Sequence, residues 1–181
     1  FIAAATERAQ IGSSILPLYT RTPALLAMTA VGIDQLSGGR FNLGLGASGP
    51  QVIEGFHGVE YDKPLARTEE IVEICRAVWR RERLEHAGLA YQIPLEEGRG
   101  TGLGKPLKPI VHPLRADVPI WLGAEGPKNV AQTAEIADGW IPIFYTPKTA
   151  GMYQPWLDEG FARPWARRTR DDFEIAATCH C

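Results

Sequence analysis

The residues of this chain best suited to chemistry are bare backbone and small polar side chains at two strand ends. Phe41-Asn-Leu-Gly-Leu45 runs as a short strand into the loop Gly46-Ala47-Ser48-Gly49. Val118-Pro-Ile-Trp-Leu-Gly123 empties in the same way into Gly123-Ala124-Glu125-Gly126-Pro127-Lys128 and a helix start. Glycine lets backbone approach a ligand, and the free N–H groups of a helix start favour anions, so a phosphate suits the second turn. Lys128 adds a positive charge. Pro127 has no N–H, which leaves the amides of Gly126 and Lys128 as donors. Glu125 carries the wrong charge for an anion, so its carboxylate is expected to face solvent while its backbone contributes. Ser48 and the amides near it could bond a phosphate or a ribityl chain. Neither turn is a G-x-G-x-x-G dinucleotide fingerprint, because the glycine spacing differs and the following acid is missing. Ordinary tight turns, or room for close packing, explain the same residues equally well.

Other reactive types are sparse. His57, in Gly55-Phe-His-Gly58, lies in a loop where it could act as acid or base or simply sit at the surface. His86 and His112 lack an acidic or nucleophilic context in sequence and read as structural. No Ser-His-Asp spacing, G-x-S-x-G elbow or paired carboxylate is visible, so nothing points to hydrolysis. Cys75 falls on the apolar stripe of a helix. Cys179-His180-Cys181 lacks a second ligand pair at suitable spacing, and no metal is expected.

These turns need a frame. The chain has 181 residues, 45% hydrophobic and 22% charged, enough for one domain with a real core. A net charge of -2 gives no reason to expect nucleic acid or an anionic membrane as partner. Arg80-Arg81 and Arg167-Arg168 stand beside acids and read as solvated faces. No apolar run reaches the ~18 residues of a membrane span and no signal peptide is present, so the cytoplasm is the expected location.

Strands are expected near 10–17, 41–45, 120–122, 140–144 and 173–179. Thr22-Pro23 opens a helix to about Leu36, with Leu25, Met28, Ile33 and Leu36 on or near one face. A second helix spans about 65–81, with Ile71, Ile74, Cys75, Val78 and Trp79 inward and Glu69, Glu70, Glu73, Arg76 and Arg80 outward. A small hairpin around Gly88 opens a Gly- and Pro-rich excursion over about 84–118. Helices are expected again at 127–137 and about 147–163. Strands separated by helices pair in parallel through right-handed crossovers, the grammar of an α/β barrel. The opening Phe1-Ile-Ala-Ala-Ala reads as a helix end and Phe173-Glu-Ile-Ala-Ala-Thr-Cys179 as an unfinished strand, which suggests a fragment of one larger domain.

Ile11-Gly-Ser-Ser-Ile-Leu-Pro-Leu-Tyr-Thr-Arg-Thr-Pro23 and Asp34-Gln-Leu-Ser-Gly-Gly-Arg-Phe-x-Leu-Gly-Leu-Gly46 resemble the luciferase-like flavin and deazaflavin oxidoreductases. Ser48-Gly-Pro-Gln-Val-Ile-Glu-Gly-Phe-His-Gly58 and Lys63-Pro-Leu-Ala-Arg-Thr-Glu-Glu70 resemble, more narrowly, the members that use coenzyme F420. The resemblance implies a TIM-type (β/α)8 barrel with insertions, present here as a partial barrel matching strands three to seven. It implies a cis peptide at Ser14-Ile15, bulged beneath the middle of the cofactor ring. It places cofactor phosphate contacts at Gly46, Ala47 and Ser48 and at the turn Gly123, Ala124, Glu125 and Gly126, with Lys128 beside them. F420 is the implied cofactor, with FMN as the alternative, and hydride transfer to a small organic substrate is the implied reaction. The alternatives are an FMN-dependent monooxygenase using dioxygen and an inactive, phosphate-binding barrel fragment. The family's acid/base residues lie partly on the first two strands, which the match omits, so no catalytic residue is assigned. At full length a homo-oligomer is expected.

Overall fold

A computed structural model of the chain describes residues 1–177. In chain order the elements are α1 (Ile2–Ala5), β1 (Ile11–Gly12), β2 (Leu16–Pro17), α2 (Pro23–Ser37), β3 (Phe41–Gly46), α3 (Pro50–Gly55) and α4 (Pro64–Trp79). They continue as β4 (His86–Ala87), β5 (Gln92–Ile93), β6 (Ile120–Gly123), α5 (Pro127–Ile136), β7 (Gly139–Trp140), α6 (Ala150–Phe161) and β8 (Glu174–Ile175). None of these helices is long and apolar enough to cross a membrane.

The chain's internal contacts form two compact units. The first comprises 1–11, 18–41 and 48–118. Its centre is α2 against α4. The Thr22 hydroxyl accepts from the Leu25 amide at the start of α2, with Pro23 opening the helix as the sequence indicated. The inward face of α2 is Leu26, Ala27, Ala30, Val31 and Asp34, whereas Leu25, Met28 and Leu36 are exposed. The sequence pointed to the wrong stripe. Alanines let the helices approach closely enough for the buried Trp79 indole to donate to the Ala27 carbonyl at 3.0 Å, a contact larger side chains would block.

On α4 the expected apolar face is buried, but Glu70 joins it. Its carboxylate accepts from the amides of Leu89, Ala90 and Tyr91 at 2.7–3.1 Å and lies 3.1 Å from His86 Nε2. Those bonds hold the turn of the β4–β5 hairpin, which is antiparallel as expected. His86 therefore has the acidic neighbours its sequence context concealed, with Glu73 also 3.9 Å away. The second buried acid, Asp34, is met by the Arg115 guanidinium, and that arginine also donates to the Phe41 carbonyl at 2.6 Å. Arg81 is not a free surface residue: its side chain donates to the Pro109 carbonyl at 3.4 Å.

The second unit comprises 12–17, 42–47 and 119 onward. It carries the six-stranded sheet, in the order β1-β3-β6-β7-β8 with β2 also on β3. The pairs β2–β3, β3–β6, β6–β7 and β7–β8 are all parallel, as an alternating α/β chain requires. Gly46 pairs with Gly123, so the two glycine strand ends lie side by side.

Three expected strands are shorter than the sequence suggested. The first is split: Ser13 Oγ donates to the Gly44 carbonyl and accepts from the Gly44 amide, both at 2.9 Å, replacing the backbone ladder between β1 and β2. The fourth ends at Trp140, and the fifth covers only Glu174–Ile175, with its expected end and Cys179-His180-Cys181 lying partly or wholly outside the described residues. The pair Arg167-Arg168 is not a solvated face. Both guanidinium groups reach the buried Asp138 carboxylate at 2.8 Å, which also accepts from the Ile120 amide at 3.0 Å.

Candidate functional site

In the second unit the expected cofactor residues other than Ser48 gather around the paired strand ends. The Ser14–Ile15 peptide is cis, as the resemblance implied, and Ser14 is exposed. A second cis bond, Ile93–Pro94, was not anticipated.

The glycines turn out to serve packing. A Cβ on Gly44 would fall onto the Ser13 carbonyl oxygen. A Cβ on Gly46 would fall onto Ile15 Cδ1, and one on Gly123 would lie 2.8 Å from the same methyl. Ile15 thus fills the space both glycines leave, so their lack of a side chain is explained by that isoleucine, while their backbones remain at the strand ends. Ala47 and Ala124 are buried beside them.

Gly126 differs. Nothing lies within 4 Å of a Cβ placed there, and its backbone, at φ -86 and ψ 157, is an ordinary extended N-cap. Helix α5 starts from it with Pro127 and no side-chain cap, so the amides of its first turn have no partner from a capping side chain. Lys128 is exposed.

Glu125 corrects its expectation. Its carboxylate is turned into the protein: Oε1 accepts from the Ile143 amide at 2.5 Å and Oε2 from the Tyr153 hydroxyl at 3.0 Å. Burial, then the hydrogen bond to Glu125 and its charge, push the Tyr153 phenol above its ordinary pKa. Trp140, fully buried, donates its indole N–H to the Ala124 carbonyl at 2.8 Å, and Tyr153 packs edge-on against it with ring centroids 4.9 Å apart. The turn Gly123–Gly126 is therefore clamped by two aromatic residues and one carboxylate. Sequence reasoning missed Ser13, Trp140 and Tyr153. Trp140 stood one strand away and Tyr153 in a weakly patterned helix, and only their hydroxyl and indole groups, which need partners when buried, signalled a polar duty.

Ser48 belongs to the first unit. It is exposed, with φ 61, and its carbonyl accepts from the Tyr61 hydroxyl at 3.3 Å. Tyr61 stacks on Tyr19, centroids 4.9 Å apart. The Tyr19 phenol is pushed up to about 12, first by burial and then by the Tyr61 charge. Of the histidines, His57 is exposed with its ring edge-on to Phe56. His112 Nδ1 lies 3.2 Å from Arg81.

The donor set at α5 suits an anion: uncapped helix amides, open space over Gly126, an adjacent lysine and an acid withdrawn by its own hydrogen bonds. The residues present therefore fit a phosphate-bearing cofactor.

Known proteins resemble this chain in sequence and fold. The family described as luciferase-like monooxygenase matches residues 1–181. A Mycobacterium tuberculosis protein named as a coenzyme F420-dependent oxidoreductase is 62% identical over 96% of this chain and 50% of its own length. The 5,10-methylenetetrahydromethanopterin reductase of Archaeoglobus fulgidus is 31% identical over 97% of this chain and 48% of its own. Among solved structures, the coenzyme F420 dependent tetrahydromethanopterin reductase from Methanopyrus kandleri superposes with TM-score 0.79 at 23% identity, over 97% of this chain and 51% of that one. The chain spans about half the length of the curated relatives it matches. With a parallel sheet, helices between its strands and a family match along its whole length, this chain belongs to the luciferase-like monooxygenase family.

Proposed function

We propose that this chain forms the cofactor-holding part of an F420-dependent oxidoreductase that moves hydride between the deazaflavin and a small organic substrate. The observation that carries the reading is the close identity with the Mycobacterium tuberculosis relative, whose name specifies that coenzyme. When bound, the deazaflavin supplies the hydride chemistry. The chain's residues do the rest. The Gly126 and Lys128 amides and the Lys128 ammonium receive the anionic tail. Ser14 and Ile15 support the ring. Ala47 and the backbone of Gly46 and Gly123 line the strand ends. No acid or base is assigned, because Glu125 is engaged by Ile143 and Tyr153.

Titration of the protein at full length with oxidised F420 and, separately, with FMN tests the reading, since the two absorb and fluoresce differently. Saturable F420 binding with little FMN binding is expected. Preference for FMN would favour a flavin monooxygenase, and binding of neither would favour an inactive fragment.

A further inference from the structure

Glu125 immediately precedes the N-cap of α5, where a carboxylate gains from the positive end of the helix dipole. It nevertheless leaves that helix uncapped. Both oxygens are taken elsewhere, one by the Ile143 amide and one by the Tyr153 hydroxyl. Tyr153 is 2% exposed and fixed between aromatic edges, with Trp140 at 4.9 Å and Trp156 at 5.4 Å. It has little freedom to follow Glu125 if the carboxylate moves.

We infer that Tyr153 is a positioning and specificity residue for the anionic tail of the cofactor: it holds the Glu125 carboxylate away from the first amides of α5 and so keeps an internal competitor out of the anion's place. The inference rests on the proposed phosphate role of the Gly123–Lys128 turn. The Ile143 amide alone is a single neutral donor, so without the phenol the carboxylate regains a choice between that loop and its own helix start. A carboxylate that caps α5 would both fill the amides and repel a phosphate.

The test uses the protein at full length and measures binding rather than turnover. Probes are F420, the same deazaflavin core lacking phosphate and tail, and inorganic phosphate, the last read as thermal protection of the cofactor-free protein. Wild type should bind F420 more tightly than the tail-less core. Tyr153→Phe, which keeps the ring and its packing, should weaken F420 and phosphate by about three- to five-fold, the scale of one charge at a helix terminus, and leave the core compound unchanged. Glu125→Gln added to Tyr153→Phe should restore wild-type affinity, and Glu125→Gln alone should bind F420 at least as well as wild type. Unchanged F420 affinity in Tyr153→Phe, a loss that Glu125→Gln fails to reverse, or an equal loss for the tail-less core would overturn the inference. If wild type binds core and F420 equally, the phosphate reading itself fails and the inference falls with it.

Discussion

At the scale of single residues, glycines of the same local appearance divide into two kinds. Gly44, Gly46 and Gly123 are occupied from outside by Ser13 and Ile15, while Gly126 opens onto free space. Replacing them should separate stability from binding. Gly44→Ala should destabilise the protein by about 1–3 kcal/mol, because the added methyl meets backbone that cannot rotate away. Chemical denaturation of the protein at full length measures it. Gly126→Val should cost about 1 kcal/mol of stability at most, from a poorer N-cap. It should nevertheless weaken F420 by about 1–2 kcal/mol, the scale of a lost charge-assisted hydrogen bond. Equal F420 affinity for Gly126→Val and wild type, read by cofactor fluorescence, would remove the anion role from this turn.

Among elements, the β4–β5 hairpin depends on an acid that belongs to another element. Burial pushes the Glu70 carboxyl upward, but the Ala90 and Tyr91 amides, His86 and the Leu89 amide outweigh it and hold the pKa below the usual glutamate value. A depressed folded-state pKa adds stability that is present above the unfolded value, ~4.3, and is lost as pH falls through the folded value. Protection of the amides in residues 86–93, corrected for their intrinsic exchange, should therefore fall as pH drops below the ordinary glutamate range, and Glu70→Gln should flatten that acid response. An acid response unchanged in Glu70→Gln would assign it to another group.

This element also marks where sequence reading stops. Periodicity placed the apolar face of α4 and the hairpin following it, because burial repeats every turn of a helix. It could not see that Glu70, three residues from the outward Glu73, turns inward to serve backbone donors. Nor could it choose between two stripes of α2: Leu25 and Met28 are as apolar as Leu26, and only the small Ala27 and Ala30 decide which side a neighbouring helix can approach. Alternation of strands and helices revealed the parallel sheet, and glycine-ended strands revealed the two turns. The Trp140–Tyr153–Glu125 clamp remained hidden because it depends on distances between segments 16 to 28 residues apart.

For the molecule as a whole, the order of the sheet matters most. Its outer strands among the described residues, β1 on one side and β8 on the other, are two-residue segments with few ladder bonds of their own. An unpaired parallel edge is a template for another chain. The 181-residue chain alone should therefore associate through these edges or unfold at low denaturant. Sedimentation velocity distinguishes the cases, and a stable monomer of the 181-residue chain would sink the expectation.

The isoleucine wedged at the strand ends makes residues 15, 46 and 123 a single packing unit. One terminal methyl occupies the place of two absent side chains on adjacent strands, so none of the three positions is free to drift alone. Ile15→Ala should open a void and Gly46→Ala should overfill the same place, each harmful by itself. Combined, the void receives the methyl, and the double variant should be more stable than the sum of its parts allows, a positive epistasis that thermal melts of the four-member cycle would display.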